Sequence, residues 1–392
     1  MINQNKKLNN IKIARVATIP FFIETQLQEQ IKFTNQAGAK VTLVSSENNP
    51  SQKFFGSDYV SINIPRNINL FRDFIALIRL WLLFRKTRFD IVHSVTPKAG
   101  LLCCIASKFS GVSVRLHTFT GQPWVELSGY KYFFSKSSDK IIGILNTHCY
   151  ADSNSQKKFL LEEGVLTADK VSVLGLGSLA GVDLKRFNPN LYSMLNRSLI
   201  KKSLGIPKNA FVILFLGRVV RDKGIIELVS AFNSIFLKNE NIYLLLSGPQ
   251  ELSLLDLGVK KGSELEKRIK FTGYTEIPEQ YMAASNVLCI PSYREGFSTV
   301  VIEAAAMGLP AIGTNIYGLI DSIIDGETGL LVESKNVKQL ANALLKFFND
   351  IDLCQLLGKT AQKRVIKYFS SELINQQVID EYARLLLEKK GS

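Results

Sequence analysis

The amino-acid sequence predicts an α/β protein of two domains, each built on a parallel β-sheet flanked by helices. Short apolar runs rich in β-branched residues alternate with amphipathic stretches along its 392 residues, which is the pattern of such sheets. Turn-forming Asn, Pro and Gly residues interrupt the pattern between Asp183 and Pro207, and it then restarts. At roughly 150 residues per domain, this length fits two domains joined near the interruption.

Each predicted element of the first half rests on spacing. Apolar runs of about four to eight residues predict strands, and apolar residues that recur every three or four positions predict helices. The predicted strands cover residues 11–18, 40–44, 90–95, 113–119, 140–146 and 171–174, and the predicted helices cover 25–36, 70–86, 98–109 and 155–163. Strands separated by helices predict parallel pairing, because a parallel connection needs a crossover.

The second half shows the same alternation and ends in helices. Its predicted strands cover residues 211–217, 241–247, 269–272, 286–290 and 309–313, and a helix is predicted over 299–307. From Val337 onward the spacing is helical almost throughout. In sheets of this class, ligands bind at the carboxyl ends of the strands, so we expect functional residues in the loops that follow them.

Composition excludes several classes of protein. The chain is 46% hydrophobic and 21% charged, which excludes a disordered or fibrous protein. Its five cysteines lack metal-binding spacing, so we expect free thiols in a reducing compartment. The polar opening lacks the apolar core of a signal peptide, and no run of about 18 apolar residues predicts a membrane-spanning helix. We therefore expect a cytoplasmic protein.

Charge is spread unevenly along the chain. Residues 1–186 hold 24 Lys and Arg against 13 Asp and Glu, whereas residues 187–392 hold 24 against 21. A basic half predicts an anionic partner, such as nucleic acid, an acidic membrane surface or a phosphorylated substrate. The alternative is a basic surface that binds no particular partner.

The most informative segment covers residues 291–310. A loop with Glu295 and Gly296 follows a predicted strand, and Ser298 is a natural N-cap for the next helix. Such a helix start presents free N–H groups and a partial positive charge, which suit a phosphate. Glu303 lies about 7–8 Å further along the axis, where its carboxylate can accept ribose hydroxyls. The two carboxylates by themselves would also fit ordinary helix charges.

The spacing of Glu295 and Glu303, after Pro-Ser and before Ala-x-Gly-x-Pro, resembles the signature of family 4 glycosyltransferases. The resemblance extends to residues 215–224, 247–249, 271–274, 325–330, 90–100 and 151–155. It covers most of the chain and is more specific in the second half. Within the family, the chain is most similar to bacterial enzymes that assemble capsule, O-antigen and related surface polysaccharides.

The resemblance implies a GT-B fold, in which two Rossmann-like domains face each other across a cleft. It implies an acceptor-binding domain over residues 1–186 and a nucleotide-sugar-binding domain over 187–371, with a helix over 372–389 packing back on the first. The implied reaction is retaining transfer of a sugar from a nucleotide sugar, UDP rather than GDP, to an acceptor glycan. The implied acceptor is a sugar on polyprenyl diphosphate, which would place the enzyme peripherally on the inner face of the plasma membrane.

The resemblance assigns Arg218 and Lys223 to the donor diphosphate. Two fixed cations stabilise the charge that develops on a leaving diphosphate more strongly in the transition state than in the ground state. Glu295 would contact the transferred sugar, and Glu303 would contact the ribose. The other donor-binding candidates lie in the same loops or where the base would stack: Gly248, Tyr274, Ile277, Gly296, Phe297, Ser298 and Thr299.

We expect no bound metal and no other cofactor. Enzymes of the other main glycosyltransferase fold hold a divalent ion on the diphosphate with Asp-x-Asp. The one such triplet here, residues 350–352, lies between predicted helices near the end of the chain, and we expect it to cap a helix. Arg218, Lys223 and the helix start would take the place of the metal.

The acceptor-side candidates lie in the first half. Many relatives place a His directly before the glycine of a turn where this chain has Thr120 and Gly121. His117 is the nearest replacement and is expected to be catalytic, with a core histidine as the alternative. His93 ends another strand and would line the cleft or be structural, and His148 is expected to be structural.

The first turn of the chain also departs from the family. Relatives often carry glycines there, whereas this chain has the bulky segment 18–22, whose proline fixes the backbone. A close backbone approach to the donor phosphate is therefore not expected, and an apolar acceptor surface is.

Residues 67–89 combine apolar and cationic positions. Phe71, Phe74, Ile75, Ile78 and Leu82 share one helical face, and Arg72, Arg79 and Lys86 recur every seven residues along its border. This pattern fits a core helix or a helix lying in a membrane interface. The aromatic and basic segment 130–136 and the basic first half favour the membrane.

Two other functions stay open on the sequence alone. A sugar-nucleotide epimerase could use the same two-domain scaffold, but three histidines offer few acid–base groups. A basic protein that binds nucleic acid would account for the charge, but no motif of that class is present, and we expect no nucleic-acid partner.

Overall fold

The contacts within the chain form two units, each with its own sheet. The structure is a computed structural model that describes residues 7–46, 56–237, 239 and 241–390. The first unit contains the chain up to Gly181 and the segment from Ser371, and the second contains Val182–Ser370. Residues 1–6, part of the opening segment expected to lack a signal peptide core, lie outside the described residues.

The first unit has a parallel sheet with the strand order β3-β2-β1-β4-β5-β6-β7. Its strands are β1 Lys12–Val16, β2 Lys40–Ser45, β3 Asp58–Ser61, β4 Ile91–Val95, β5 Val114–Phe119, β6 His148–Ala151 and β7 Val171–Ser172. Its helices are α1 Pro20–Phe22, α2 Gln28–Gln36, α3 Leu70–Thr87, α4 Pro97–Phe109, α5 Gly129–Leu145 and α6 Asn154–Glu162. A π-helical turn, Ile23–Leu27, joins α1 to α2.

The second unit has a parallel sheet with the order β10-β9-β8-β11-β12-β13. Its strands are β8 Phe211–Leu216, β9 Ile242–Ser247, β10 Ile269–Gly273, β11 Val287–Ile290, β12 Ala311–Thr314 and β13 Gly329–Val332. Its helices are α7 Met194–Ser203, α8 Ile225–Phe236, α9 Glu264–Arg268, α10 Pro278–Ala283, α11 Thr299–Ala306, α12 Val337–Asn349 and α13 Ile351–Tyr368. The central strand β8 is buried along its whole length. The α/β prediction is confirmed in both units.

The last helix, α14 Ser371–Lys390, belongs to the first unit. Val378, Ile379 and Tyr382 pack in the same apolar cluster as Ile13 and Leu116 of that sheet. The Tyr382 hydroxyl accepts a hydrogen bond from the buried Arg15 guanidinium (2.9 Å). The chain therefore enters the second unit at Val182 and returns to the first at Ser371.

The predicted strand over residues 140–146 is wrong, because these residues end α5. The apolar run in this segment fits a buried strand, but Ile142 and Gly143 face the interior while Ile141 and Ile144 are 40% and 68% exposed. Such one-sided burial belongs to a helix on a sheet. The strand of this region is β6, and the described structure also adds β3 and β13, which were not predicted.

Helix α3 faces the sheet with a different side from the apolar face seen in the sequence. Ala76, Leu80 and Phe84 are its buried residues and pack on the sheet. Phe71 and Phe74 are 75% and 61% exposed. The core alternative is therefore wrong for this face. In the described part of the chain, no helix combines the length and apolarity needed to cross a lipid bilayer.

Candidate functional site

The strand order of the second sheet creates a binding crevice between β8 and β11. From β8 the chain builds outward to β9 and β10, whereas β11, β12 and β13 lie on the opposite side. The loops that follow β8 and β11 therefore separate at the point where the strand order reverses, which is where ligands bind in open parallel sheets. Both loops carry the residues expected to bind the donor.

Two glycines allow close approach between loops at this edge of the sheet: Gly224 between the loops after β8 and β11, and Gly248 between the loops after β9 and β8. Gly224 has φ +67°, and a Cβ there would lie 1.9 Å from the Pro291 carbonyl oxygen. Gly248 has φ +141°, and a Cβ there would lie 1.9 Å from the Gly217 carbonyl oxygen. No other residue avoids both the collision and the backbone strain. Gly248 therefore has a packing role, and its contact with the donor stays a prediction.

Lys223 and Glu295 meet across the crevice. The Lys223 ammonium lies 2.6 Å from Glu295 Oε1, and both side chains are mostly buried. The Ser292 hydroxyl donates to the same oxygen (2.9 Å). Ser292 is itself fully buried, and its carbonyl accepts a hydrogen bond from Thr314. This cluster fixes a cation and a carboxylate at the carboxyl ends of the two central strands, β8 and β11.

Arg218, in the loop after β8, has a different partner. Its guanidinium NH1 donates to Glu251 Oε1 (3.0 Å), and both side chains are about half exposed. An exposed pair of this kind is worth only about 0–1 kcal/mol, so an anionic ligand can displace Glu251. Arg218 is therefore available to a diphosphate at this edge of the sheet.

The start of α11 is built partly as predicted. Ser298 occupies the N-cap position, but its side chain makes no capping hydrogen bond, which corrects the expected capping role. Phe297 is 8% exposed and packs against the ring of Phe369 in the core, so its side chain is not available to a ligand. The helix still begins at Thr299, directly after the Gly296–Ser298 segment, and a helix start is where an anion binds.

The nucleoside candidates lie near the same helix. Tyr274 and Ile277 follow β10 and are 53% and 45% exposed, as a base-stacking surface requires. Glu303 lies on α11, and burial raises the pKa of its carboxyl to about 8, with Arg186 lowering it and Glu279 raising it. Its proton is therefore partly retained near neutral pH.

The first sheet has a corresponding reversal between β1 and β4. Thr18 follows β1 and Thr96 follows β4, and their hydroxyl oxygens lie 2.8 Å apart. Thr96 has φ +69° and ψ 138°, a strained conformation for a β-branched residue. Thr120 and Gly121 follow the next strand, β5, and Thr120 is half-buried. The acceptor-side candidates at this edge are neutral hydroxyl groups.

His117 is not at this edge, which corrects the expectation of a catalytic histidine. It is 1% exposed, and its Nδ1 shares a hydrogen bond with the Ser94 hydroxyl (2.9 Å). It fills the space over Gly100, where a Cβ would lie 2.4 Å from the imidazole Cε1. Burial lowers the pKa of His117 to about 3, so it is a neutral core residue.

His93 is also a core residue, which agrees with the structural alternative and not with a place in the cleft. It is 3% exposed, and its ring nitrogens share hydrogen bonds with Tyr382 (2.6 Å) and Thr118 (2.8 Å). Burial, helped by Arg15, lowers its pKa well below the usual value. His148 is half-buried against Ser172.

The Asp-x-Asp triplet has the predicted structural role. Asp350 is the N-cap of α13, and its Oδ1 accepts the Leu353 N–H (2.8 Å). Among the residues that the structure describes, no three His, Cys, Asp or Glu side chains form a cluster that could hold a metal ion.

Some residues of the site were not found in the sequence. Ser292 stands three positions before Glu295, and that proximity could have pointed to it. Glu251, Arg186 and Glu279 gave no local signal, because their contacts with the site cross from one loop to another.

Family models match both halves of the chain. The model described as Glycosyl transferases group 1 matches residues 196–364, and the one described as Glycosyl transferase 4-like matches residues 15–147. The capsular polysaccharide biosynthesis glycosyltransferase CapM of Staphylococcus aureus is 32% identical over 98% of this chain and 100% of its own. The UDP-Gal:alpha-D-GlcNAc-diphosphoundecaprenol alpha-1,3-galactosyltransferase of Escherichia coli is 25% identical over 97% of this chain and 99% of its own.

Solved structures agree on the fold. Sucrose-phosphate synthase from Thermosynechococcus elongatus matches with a TM-score of 0.79 at 22% identity and covers 97% of this chain and 100% of its own. Anabaena HepE in complex with UDP and glucose matches with a TM-score of 0.77 at 18% identity, covering 95% and 99%. Because the match to CapM spans the whole chain, this protein belongs to the family 4 glycosyltransferases and has their GT-B fold.

Proposed function

We propose that this glycosyltransferase moves a sugar from a UDP-sugar to a polyprenyl-diphosphate-linked acceptor glycan during synthesis of a bacterial surface polysaccharide. The observation that carries the proposal is the cluster of Lys223, Glu295 and Ser292 at the strand reversal of the second sheet, beside the start of α11. Full-length similarity to a capsule glycosyltransferase and to an enzyme named for UDP-galactose and a diphosphoundecaprenol acceptor supports the pathway and the substrates.

The donor side works through charge. Lys223, Arg218 and the N–H groups at the start of α11 would bind the diphosphate, whose negative charge grows as the glycosidic bond breaks. Fixed cations stabilise that charge without reorganisation, which lowers the barrier. Glu295 would orient the sugar hydroxyls, and Glu303 would accept those of the ribose. We propose that this set of groups replaces a metal ion and that the enzyme needs no cofactor.

The histidines of the first unit change the proposed route of the acceptor proton. His117 and His93 are buried and cannot take a proton from an acceptor hydroxyl. We therefore propose attack on the face that the diphosphate leaves, which retains the anomeric configuration. The acceptor oxygen bonds to the anomeric carbon, the bond to the diphosphate oxygen breaks, and the proton moves to that oxygen. Thr120 and Gly121 stay candidates for holding the acceptor.

A lipid-linked acceptor requires contact with a membrane, and one surface of the first unit fits it. Helices α3, α4 and α5 lie side by side on one face of the sheet, with α4 in contact with both others. The exposed apolar residues of these helices form a surface that we call the α3–α5 face, and they include Phe71, Phe74, Ile78, Leu82, Tyr130, Phe133, Phe134 and Ile144. Few soluble proteins expose so many large apolar side chains on one face without a partner.

Cations on the α3–α5 face indicate which partner it has. Arg72, Arg79 and Lys86 are exposed along the border of the apolar residues of α3. An apolar face bordered by cations is complementary to the anionic headgroups and acyl boundary of a bacterial inner leaflet. We therefore propose that the enzyme works peripherally on the cytoplasmic surface of the plasma membrane.

Thermal stability in the presence of nucleotide sugars tests the donor side. A donor that binds the folded state raises the melting temperature. We expect UDP-sugars to do so for the wild type, Glu295→Gln to abolish the shift, and the exposed matched variant Glu264→Gln to keep it. Activity that is lost with a chelator and restored by manganese would contradict the metal-free mechanism. If no UDP-sugar and no GDP-sugar raises the melting temperature, the proposed function is contradicted.

Vesicle sedimentation tests the membrane side. We expect the protein to bind vesicles that contain phosphatidylglycerol and to be released by salt, while pure phosphatidylcholine vesicles bind weakly. Phe71→Asn with Phe74→Asn should abolish binding but leave transfer to a water-soluble short-chain acceptor intact. Unchanged vesicle binding by that double variant would exclude the α3–α5 face.

A further inference from the structure

Arg186 connects two parts of the second unit that the sequence alone gave no reason to connect. It lies shortly after the chain enters this unit, in a turn where Asp183 Oδ1 accepts the N–H groups of Lys185 and Arg186. Its guanidinium NH2 donates to the Glu276 carbonyl oxygen (2.5 Å). Glu276 directly precedes Ile277, so this hydrogen bond holds the loop that carries the base-stacking candidates.

The same guanidinium neutralises a carboxylate beneath that loop. Arg186 NH2 lies 2.8 Å from Oε2 of Glu279, which is on α10 and is 8% exposed. A carboxylate buried to this extent needs a cation, because burial without one is costly. Helix α10 also contacts α11, which carries Glu303. One arginine therefore joins the base loop to α10, and α10 in turn contacts the helix that carries the ribose candidate.

We propose that Arg186 is a positioning residue for the nucleoside of the donor: it fixes the Tyr274–Ile277 loop through the Glu276 carbonyl and pairs with Glu279 on α10, the helix that contacts the α11 helix of Glu303. This inference rests on the proposed nucleotide-sugar donor and adds a residue to its nucleoside end. Arg186 touches the protein and not the reacting atoms, so its effect should fall on nucleotide binding and not on the chemical step.

The cluster also predicts how binding depends on pH. Among the described residues, the charged groups that act on Glu303 are Arg186 and Glu279, with opposite signs. Removing the Arg186 cation disfavours the ionised form of Glu303, so Arg186→Met moves the titration of Glu303 to higher pH. Removing the neighbouring anion has the opposite effect, so Glu279→Gln moves it to lower pH. An ionised Glu303 accepts both ribose hydroxyls, so UDP should bind more tightly as pH rises through this titration.

Calorimetry with UDP and with inorganic pyrophosphate tests the assignment on the full chain. We expect Arg186→Met to weaken UDP about tenfold and to leave pyrophosphate within about twofold, whereas Lys223→Met weakens both. The matched control is Arg197→Met, which removes an arginine that donates to the Tyr192 and Pro189 carbonyls and not to the base loop. Steady-state kinetics should show a raised KM for the donor with little change in kcat.

The outcomes separate this inference from the proposed function. If Arg186→Met weakens UDP and pyrophosphate binding equally, or leaves UDP binding unchanged, the proposed role of Arg186 is wrong. The donor proposal still stands in that case as long as the wild type binds UDP. Measured against Glu303→Gln at each pH, so that the titration of the ligand cancels, the inflection in UDP affinity should lie at higher pH in Arg186→Met and at lower pH in Glu279→Gln than in the wild type. Shifts in the same direction for Arg186→Met and Glu279→Gln would contradict the cluster. A wild type that binds neither UDP nor GDP would overturn the inference and the proposed donor together.

Discussion

The two sheets present different chemistry at the same topological position. At the strand reversal of the second sheet, Lys223 is paired with Glu295, and Arg218, in the same loop as Lys223, is paired with Glu251. At the reversal of the first sheet, Thr18 and Thr96 share a hydrogen bond between neutral hydroxyls. Fixed charge at the second reversal suits a departing diphosphate, whereas the first reversal offers only neutral hydroxyls in these two residues. The comparison teaches that the same topological position can carry charged or neutral groups, depending on the residues that follow the two central strands.

The strongest test of this difference between the units is to remove one predicted catalytic group from each and compare the losses in kcat. Lys223→Met should lower kcat by about 10²–10³, because a donor aimed at developing charge is lost. His117→Asn, which keeps a polar atom for Ser94, should leave kcat within a few-fold. Initial rates with a soluble acceptor measure both, and Lys260→Met is the exposed control. A large loss in His117→Asn would restore the histidine to the active site.

Packing around His117 gives the next largest effect. Gly100→Ala would place a methyl group 2.4 Å from the imidazole, whose position is fixed by Ser94. Overpacking of this kind costs about 1–3 kcal/mol in the free energy of unfolding. In a His117→Ala background the added methyl should cost much less. Denaturant titration of the two single variants and the double variant measures the coupling, and additive effects would show that the ring is not packed on Gly100.

Buried carboxyls of the first unit predict the pH dependence of stability. Burial raises the pKa of Asp152 to about 8 and that of Asp139 to about 7, the latter despite a hydrogen bond from Trp124. The unfolded chain loses these protons near pH 4, so between about pH 4 and 8 the folded state holds more protons. The free energy of unfolding therefore falls as pH rises through this window.

Asp152→Asn should remove its part of that slope, at most ~1.4 kcal/mol per pH unit. Melting temperatures from pH 5 to 8 measure it, with the exposed Asp352→Asn as control. If the slope is the same in Asp152→Asn and wild type, Asp152 does not retain its proton.

The smallest expected effect concerns the partner of Arg218. Glu251→Gln removes the carboxylate that competes with the donor diphosphate, and an exposed pair contributes about 0.2–1 kcal/mol. UDP should therefore bind up to about fivefold more tightly, with the gain shrinking at high salt. Calorimetry at two salt concentrations measures it. Weaker binding would mean that Glu251 helps to hold the ligand instead of competing with it.

The sequence singled out charged residues in the second unit because the family motifs are more specific there. Arg218, Lys223 and Glu295 lie in those motifs, whereas the turn at Thr120 and Gly121 in the first unit departs from them. Histidines are common in both cores and active sites, and nothing local distinguishes His117 packed on Gly100 from His117 facing a substrate. The strand predicted at 140–146 was wrong for a related reason, because a short apolar run fits a strand and the buried side of a helix equally well.

The sequence by itself determined the alternation of strands and helices, the family and the charged loops of the donor side, because these depend on residues close together in the chain. The tertiary structure alone decided which side of α3 faces the sheet, which histidines are buried and that Arg186 joins the base loop to Glu279. Burial and loop-to-loop contact depend on residues far apart in the chain, and only the packed sheets and helices bring those together.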